Sequence, residues 1–429
     1  MRAESSVKRP LRTVLLLTAV AAGIGTLSAL SLAAAHRLTE PLSPVEHSSV
    51  RIPDSATLAP GTPPVIPVPN TGAFELDSDI DGRLAAAHAD SVQPIGSVAK
   101  TMTALVVLGA RPLNGDEPGP VVTMTQADVE RYRQAVAEQG STAPVALGER
   151  LTERQLLLAL LLPSANNIAE TLAAWVAGDR ASFIAMLNSR AAVLGMSHTH
   201  FDDPSGYSGL TVASASDLVV LARAVLSDPE MAALVGTATA TLPDGTVIRN
   251  LDILLRTTPG WLGIKTGWTP QAGGCLLFAA RQFLEGASAP VTLYGAVLGQ
   301  PPLATADAAH PELGGAFAST RSAVAAAFLG YSAVDPSRLT MSISGALTTP
   351  WGSSTSLAAA TAASHTLAVR LGTVLQLRLA LRDVVAPVGA RTVVGYVSGQ
   401  IRGATLESWP VVVRQALPEP NPWWRLLHG

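Results

Sequence analysis

The sequence predicts a mixed α/β chain of the α+β type, with an antiparallel sheet flanked by a helical subdomain and followed by a small β domain. Helix-like segments dominate the first half, at 97–108, 156–162 and 168–176. Strand-like runs joined by short turns, 72–77 with 82–87 and 261–268 with 275–280, indicate antiparallel pairing. From about residue 337 the pattern changes, and residues 374–382 alternate between apolar and polar as in a half-buried strand.

Composition limits the range of functions. The chain has 429 residues, enough for two or three domains, and a net charge of −3 with 14% charged residues. Nothing in this balance favours a nucleic-acid partner. The single cysteine excludes an internal disulfide. No motif calls for a cofactor.

The first 70 residues predict export. Residues 1–12 form a basic tail, and residues 13–35 form an uncharged run of 23 residues, long enough to span a bilayer. The preceding cations predict a cytoplasmic tail with the rest of the chain outside the membrane. Ala33–Ala35 resembles a cleavage site, so a signal peptide competes with a transmembrane anchor. The proline-rich segment 36–70 is predicted to be an extended linker.

The remainder divides into a predicted catalytic domain at 71–335 and a β domain at 336–429. Within the first, Thr152–Gln155 is a capping box for the helix that Pro163 ends. In the second, the run Trp423–Leu427 is suited to contact with a membrane surface, although it is too short to serve as an anchor by itself.

The most informative segment is 94–105, which places Ser97 three residues before Lys100 at the start of an apolar helix. Residues three apart share a helix face, so the lysine amine is predicted to lie beside the serine hydroxyl. A lysine with a lowered pKa can accept the proton of such a nucleophile. The chain has only three lysines, Lys8, Lys100 and Lys265, against 26 arginines. Because arginine cannot act as a base, a lysine retained at position 100 indicates proton transfer.

Two further motifs follow in order. Ser164 and Asn166 lie at a junction between two helices, where their side chains can face a cleft or Ser164 can simply cap the second helix. Lys265, Thr266 and Gly267 lie on a predicted strand, and the glycine permits close approach of another backbone or a ligand.

Other candidates have simpler explanations. Cys275 lies in an apolar strand-like run and is interpreted as a buried structural thiol. His198, His200, Asp202 and Asp203 suggest a metal site, but no third histidine is nearby, and no metal is predicted.

The three motifs together are those of penicillin-binding proteins and class A β-lactamases. The chain resembles the low-molecular-mass penicillin-binding proteins of the D-alanyl-D-alanine carboxypeptidase type, from about Gly72 to Leu329. The segment Thr199–Gly206 is similar to a His-Phe segment of that family, and Arg249–Asp252 precedes the Lys265 motif as in that family. The resemblance implies a β-lactamase/transpeptidase-like domain and a D-Ala-D-Ala carboxypeptidase that acts on peptidoglycan stem pentapeptides and is inhibited covalently by β-lactams.

The resemblance also assigns roles. Ser97 is the expected nucleophile, Lys100 the base, and Ser164 the group that passes a proton to the leaving amine. Asn166 would hold the substrate amide, and Lys265 and Thr266 would bind the terminal carboxylate beside Gly267. The backbone N–H groups of Ser97 and Trp268 would form the oxyanion hole.

Three departures from the family pattern stand out: Asp203 replaces the usual Asn, Trp268 is bulky, and the expected anchor is N-terminal. Two rival functions remain. A class A β-lactamase would need a deacylating glutamate, and none is present around residues 200–207. A non-catalytic cell-wall scaffold would have no need to retain Lys100 and Lys265 as lysines.

Overall fold

The computed structural model describes residues 8–428, and side chains from residue 13 to residue 428. Residues 1–7 of the predicted basic tail lie outside the described residues. The helices are α1 Lys8–Thr39, α2 Ala99–Ala110, α3 Gln126–Ala137, α4 Glu153–Leu161, α5 Asn166–Ala177, α6 Arg180–Val193, α7 Ala215–Ser227, α8 Pro229–Val235, α9 Leu254–Thr257, α10 Pro311–Phe328 and α11 Pro422–His428.

The strands, in chain order, are β1 Ser55–Thr57, β2 Ala73–Ser78, β3 Gly82–Ala87, β4 Gln93–Pro94, β5 Val121–Thr123, β6 Arg150–Thr152, β7 Val212–Ala213, β8 Thr239–Thr241, β9 Val247–Arg249, β10 Trp261–Thr269, β11 Gly273–Gln282, β12 Val291–Gln300, β13 Tyr331–Val334, β14 Ala346–Thr348, β15 Ser354–Ala359, β16 Leu367–Arg370, β17 Val374–Leu381, β18 Val393–Ile401 and β19 Ala404–Val413.

Residues 59–334 and 366–372 form one compact unit, referred to here as the catalytic unit. Its main sheet has five strands in the order β10-β11-β12-β2-β3, and every neighbouring pair is antiparallel. The predicted α+β class with an antiparallel sheet is confirmed, and so are both predicted hairpins.

The inner strand β11 is buried on both faces, which explains its continuous apolar sequence. Cys275, Leu277 and Ala279 face a core shared with α2 and α4–α7. The alternate residues, represented by Leu276 and Phe278, face a second core shared with α10. The sheet therefore separates a helical subdomain from a single long helix, and the edge strand β10 carries the Lys265 motif.

Local capping fixes the helices that hold the site. Thr152 caps α4 by accepting a hydrogen bond from the backbone of Gln155, and the Gln155 side chain accepts one from the backbone of Thr152. This reciprocal arrangement confirms the capping box and fixes where α4 begins. Leu162 and Pro163 then end the helix just before Ser164.

The second unit, referred to here as the β unit, comprises residues 335–365 and 373–428 together with the described residues up to Leu58. Its sheet has the order β1-β17-β18-β19-β15-β14. Strand β1 pairs with β17, and Glu46 and Arg51 form isolated bridges with Thr348 and Ser344. Residues 45–57 thus pair with both edges of this sheet, whereas the sequence predicted an extended linker over 36–70. The difference arises because parts of this segment contain few prolines and pair with residues that are distant in the sequence. Val45 and Val50 are buried in this arrangement.

Helix α1 is long enough and apolar enough to cross a membrane, and its apolar window is not buried within the protein. This fits either a membrane anchor or a signal sequence, as the sequence predicted.

Candidate active site

The nucleophile candidate Ser97 lies in a 3₁₀ turn, Gly96–Val98, that leads directly into α2. Gly96 has a φ of +53°, a conformation that favours glycine. This turn directs the partly exposed Ser97 toward the cleft. The next two residues, Val98 at the end of the turn and Ala99 at the start of α2, are fully buried. The hydroxyl is therefore accessible on a rigid support.

Lys100 is completely buried, and its Nζ is surrounded by oxygen atoms. Ser97 Oγ lies 2.7 Å away, and Ser164 Oγ lies 3.4 Å away. Lys100 Nζ donates hydrogen bonds to Asn166 Oδ1 at 2.7 Å and to the Ser205 carbonyl at 3.0 Å. A neutral amine has two N–H bonds and one lone pair. If the two acceptors hold both N–H bonds, the lone pair faces the serine hydroxyls.

The electrostatics favour that neutral form. Burial is the main cause that holds the pKa of Lys100 well below its ordinary value, and the charge of Lys265 adds to the effect. The Asp203 carboxylate acts in the opposite direction. A buried lysine with a lowered pKa beside a serine hydroxyl is suited to act as a general base.

Ser164 occupies the junction between α4 and α5 with a φ of +65°, rare for a residue with a side chain. Such strain costs on the order of 1–3 kcal/mol and is found mainly where function requires it. The capping interpretation of Ser164 is wrong, because the residue preceding α5 is Ala165 and no side chain caps that helix. Asn166 begins α5, and its backbone N–H donates to the Ser141 carbonyl.

Strand β10 brings the third motif to the nucleophile. Lys265 Nζ donates to the Thr266 carbonyl at 3.0 Å, and both residues are buried. Burial lowers the pKa of Lys265 to about 7, while the negative charge of Asp252 opposes this. Lys265 is therefore poised to gain a proton when an anion binds.

Gly267 is required by close approach. A Cβ built at this position would lie 2.6 Å from the Ile95 carbonyl oxygen and 3.1 Å from the Ser97 nitrogen. The strand therefore runs directly against the turn that carries the nucleophile. Trp268 follows with 43% of its surface exposed, and its backbone nitrogen lies near Gly96. The backbones of Ser97 and Trp268 are thus brought to the same edge of the cleft.

The sequence did not reveal the role of the loop 203–211. Asp203 Oδ2 accepts hydrogen bonds from the backbone and hydroxyl of Ser205 and from the backbone of Tyr207, and Thr211 Oγ1 donates to Asp203 Oδ1. The Pro204 carbonyl accepts from Thr103 of α2 at 2.6 Å. A Cβ at Gly206 would collide with the Gly96 carbonyl. This loop is therefore fixed against α2 and supplies the Ser205 carbonyl to Lys100. The only signal in the sequence was the departure from the family pattern at Asp203.

A cavity of about 450 Å³ adjoins the site on the side of Asn166. Its lining is strongly polar and includes Asp203, Ser205, Tyr207, Glu170 and Arg180. The cleft therefore extends well past the reacting groups.

The remaining candidate residues have structural roles. Cys275 is buried opposite Gly267 in the β10–β11 pair, and burial raises the pKa of its thiol to about 12, which suits a structural thiol. His200 pairs through its backbone with Val212. Within residues 8–428, no group of three or more His, Cys, Asp or Glu side chains is placed to hold a metal ion.

Comparison with known proteins gives a consistent result. A family model described as D-alanyl-D-alanine carboxypeptidase matches residues 74–289. A D-alanyl-D-alanine carboxypeptidase of Mycobacterium tuberculosis is 34% identical over 233 residues, which cover 52% of this chain and 73% of that protein. A D-alanyl-D-alanine carboxypeptidase of Streptomyces sp. strain K15 is 33% identical over 227 residues, 49% of this chain and 76% of that protein.

Among solved structures, the Streptomyces K15 DD-transpeptidase aligns with a TM-score of 0.51 and 28% identity. The alignment covers 62% of this chain and 99% of that one. The similarity thus includes nearly all of that structure and leaves more than a third of this chain unmatched.

Proposed function

Because the chain belongs to the D-alanyl-D-alanine carboxypeptidase family, we propose that Ser97, Lys100 and Ser164 carry out its acyl transfer. The activity is that of a serine-type D-Ala-D-Ala carboxypeptidase and penicillin-binding protein. It removes the terminal D-alanine of a peptidoglycan stem peptide, and β-lactams react at the same site. The observation that carries the assignment of residues is the 2.7 Å contact between the buried Lys100 Nζ and Ser97 Oγ.

Acylation follows from this geometry. Neutral Lys100 takes the proton of Ser97 Oγ as the oxygen attacks the carbonyl carbon between the two D-alanines. The backbone N–H groups of Ser97 and Trp268 stabilise the negative charge that develops on the carbonyl oxygen. The proton then passes from Lys100 through Ser164 to the leaving amine. D-Alanine departs, and Lys100 is again neutral and able to take a proton from the water that hydrolyses the acyl-enzyme.

Substrate binding uses the remaining motif residues. Lys265 and Thr266 bind the terminal carboxylate, and Asn166 holds the substrate amide with its side-chain N–H₂. Protonation of Lys265 on carboxylate binding supplies a full positive charge at the point where the substrate needs it. A β-lactam, which also carries a carboxylate beside a strained amide, would be held in the same way.

The decisive experiment is acylation of the full-length chain in detergent with a penicillin, followed by intact-protein mass spectrometry. We expect one adduct that persists, absence of the adduct in Ser97→Ala, and its retention in Ser91→Ala, a control at a nearby exposed serine. Rapid release of hydrolysed drug would favour the β-lactamase alternative. An adduct on another residue would refute the assignment of Ser97.

Turnover tests the scaffold alternative. The same preparation is offered a stem pentapeptide and a cross-linked dimer, and the products are identified by mass spectrometry. Release of D-alanine from the pentapeptide is the expected result. If neither substrate is converted although Ser97 is acylated by penicillin, the chain would be a binding protein.

We further propose that α1 anchors the protein with its catalytic unit outside the cytoplasm. Support comes from the length and apolar composition of α1 and from the cations that precede it in the sequence. Protease added to intact spheroplasts should degrade the chain beyond Glu40. Protection of that part would refute export, and quantitative processing after Ala35 would favour a cleaved signal.

A further inference from the structure

Lys265 is a buried lysine whose own hydrogen bonds supply no negative charge. Only 1% of its surface is exposed. Its Nζ donates to the Thr266 carbonyl at 3.0 Å and lies 3.4 Å from Thr266 Oγ1, and both oxygens are neutral. A buried ammonium group is costly unless an opposite charge lies near it. The proposed role of Lys265 nevertheless requires a positive charge, because its partner is the carboxylate of the substrate.

Asp252 offers the opposite charge. Its side chain is completely buried, and neutral N–H groups hold both of its carboxylate oxygens. The backbone N–H of Leu254 donates to Oδ1 at 3.0 Å, and Trp261 Nε1 donates to Oδ2 at 2.7 Å. Donors of this kind stabilise the ionised form of a carboxyl group. They fix the position of the carboxylate without neutralising its charge.

This carboxylate belongs to a segment that runs beside β10. Trp261, which holds Oδ2, is the first residue of that strand. Asn250 Nδ2 contacts the Val235 carbonyl oxygen at 3.4 Å, and a Cβ built at Gly263 would lie 2.6 Å from the same oxygen. The segment therefore adjoins the first three residues of β10, and Lys265 follows two residues later on the strand.

The two buried side chains affect each other's protonation. Burial lowers the pKa of Lys265 to about 7, and the negative charge of Asp252 opposes that effect. Burial raises the pKa of Asp252 to about 6, while the hydrogen bonds it accepts and the charges of Lys265 and Arg256 act in the opposite direction. Near neutral pH, each charge therefore favours the other.

Among the described elements that pack against β10, the other carboxylates are already paired. Glu230 of α8 lies 2.8 Å from an arginine, and Glu312 of α10 lies 3.1 Å from a histidine. The cations on these elements are Lys100, Arg256, Arg281 and Arg321. They disfavour a further positive charge at Lys265. Asp252 is therefore the carboxylate placed to support a charged Lys265.

We propose that Asp252 is a positioning residue for substrate recognition. Its carboxylate keeps the buried amine of Lys265 charged, and the site thereby selects substrates that end in a free carboxylate. The inference rests on the proposed role of Lys265 in binding that carboxylate. Selection should decline as the pH rises through the value at which Lys265 loses its proton.

The test compares two thioester substrates that transfer the same acyl group. One ends in a carboxylate, as in an N-acyl-D-alanyl thiolactate, and the other carries a primary amide at that place. The full-length chain in detergent is assayed with both substrates at a series of pH values. Selectivity is the ratio of the two kcat/KM values. Effects on the acyl-enzyme and on the base Lys100 are common to both substrates and cancel from this ratio.

We expect Asp252→Asn to lose selectivity in a pH-dependent way. The substitution keeps the size of the side chain but removes the negative charge that raises the pKa of Lys265, so Lys265 should lose its proton at lower pH. The ratio should fall at least about fivefold near pH 7 and stay close to the parent's near pH 5. At the lower pH, Lys265 is protonated in both proteins. A misplaced Lys265 would instead lower the ratio at both pH values.

A second variant acts on the same charge without replacing Asp252. Trp261→Phe removes the N–H that Oδ2 accepts and keeps an aromatic ring against Phe278, on which Trp261 stacks with ring centroids 5.5 Å apart. Loss of this bond should raise the pKa of Asp252. The ratio should therefore fall near pH 7 and remain unchanged near ~pH 5.

The matched control is Asp217→Asn. Asp217 is a buried aspartate on α7 whose Oδ2 accepts a hydrogen bond of 2.7 Å from the backbone N–H of His198. Its replacement removes a buried negative charge elsewhere in the catalytic unit and should leave the ratio unchanged at every pH. All three variants are first compared with the parent by thermal unfolding.

The outcomes separate this inference from the proposed function. If the parent is acylated by neither substrate, or shows no preference for the carboxylate, the proposed function or its assignment of Lys265 fails and the inference with it. If the parent shows that preference and Asp252→Asn keeps it at every pH, the inference alone is refuted. An equal fall in the ratio at low and neutral pH would also refute it. If Asp252→Asn does not fold, Trp261→Phe decides by the same criteria.

Discussion

Replacing Gly267 by alanine should slow the acylation of Ser97 far more than it destabilises the protein. The added Cβ would lie 2.6 Å from the Ile95 carbonyl oxygen and 3.0 Å from the Val98 nitrogen, whereas ordinary contacts begin at 3.4 Å. Both neighbours are backbone atoms of the turn that carries the nucleophile, so no flexible side chain can move aside. Strand β10 must therefore retreat from the 3₁₀ turn.

The size of the retreat sets the expected effect. Relief of the tightest contact requires roughly 0.8 Å, and a misplacement of about 1 Å at a reacting centre can cost ~10²-fold in rate. That loss corresponds to about 2.7 kcal/mol of transition-state stabilisation. The retreat acts on two elements at once, because Lys265 and the backbone of Trp268 move with the strand.

The assay is the second-order rate of acylation by a fluorescent penicillin, measured together with the thermal unfolding midpoint. The matched control is Gly109→Ala in α2, where a Cβ meets no atom within 4 Å. At that exposed helical position alanine should be neutral or stabilising by ~0.5–1 kcal/mol. If Gly267→Ala is acylated as fast as the parent, the contact between β10 and the turn does not determine the geometry of the site.

Four further substitutions, at three positions, test the proton chemistry through acylation rates measured against pH. Lys100→Arg should reduce acylation by ~10²–10⁴-fold, since a guanidinium cannot accept the serine proton; a rate equal to the parent's would refute the base assignment. Lys265→Ala removes a positive charge that lowers the pKa of Lys100, so the rising limb of the profile should move to higher pH, whereas Lys265→Arg should leave the limb nearly in place. Asp203→Asn removes a negative charge that raises the pKa of Lys100, so the limb should move to lower pH, and a shift in the same direction as Lys265→Ala would contradict the electrostatic argument.

The catalytic unit could be predicted largely because its signals are local or compositional. The capping box at Thr152 and the three-residue spacing of Ser97 and Lys100 are properties of short segments. Because the chain has so few lysines, the lysine at position 100 indicated a catalytic role even before its contacts were known. Position 164 was harder, because a serine between two helices suggests a cap. The structure shows that it is not one, since Ala165 precedes α5 and no side chain caps that helix.

What the sequence could not provide was contact between distant segments. The Ser205 carbonyl reaches Lys100 because Asp203 and Gly206 hold their loop against α2. No periodicity marks such a loop, and a backbone carbonyl has no residue-specific signature. The prediction of an extended linker differs from the structure over residues 45–57 for the same reason, since the residues with which they pair lie beyond residue 340.

The pairing of Ser55–Thr57 with β17 has a consequence for how the protein must be made. The two partners are about 320 residues apart in the chain, a separation that makes their pairing slow and late in folding. The catalytic unit, whose residues are nearly continuous, can complete its core before β17–β19 have been synthesised. Until then, the segment 45–57 remains without its strand partners, exposed to proteases and to pairing with other chains. A shortened soluble form that starts at residue 71 would lack this segment altogether and leave both edges of the β unit open, so an intact soluble form must begin before Val45.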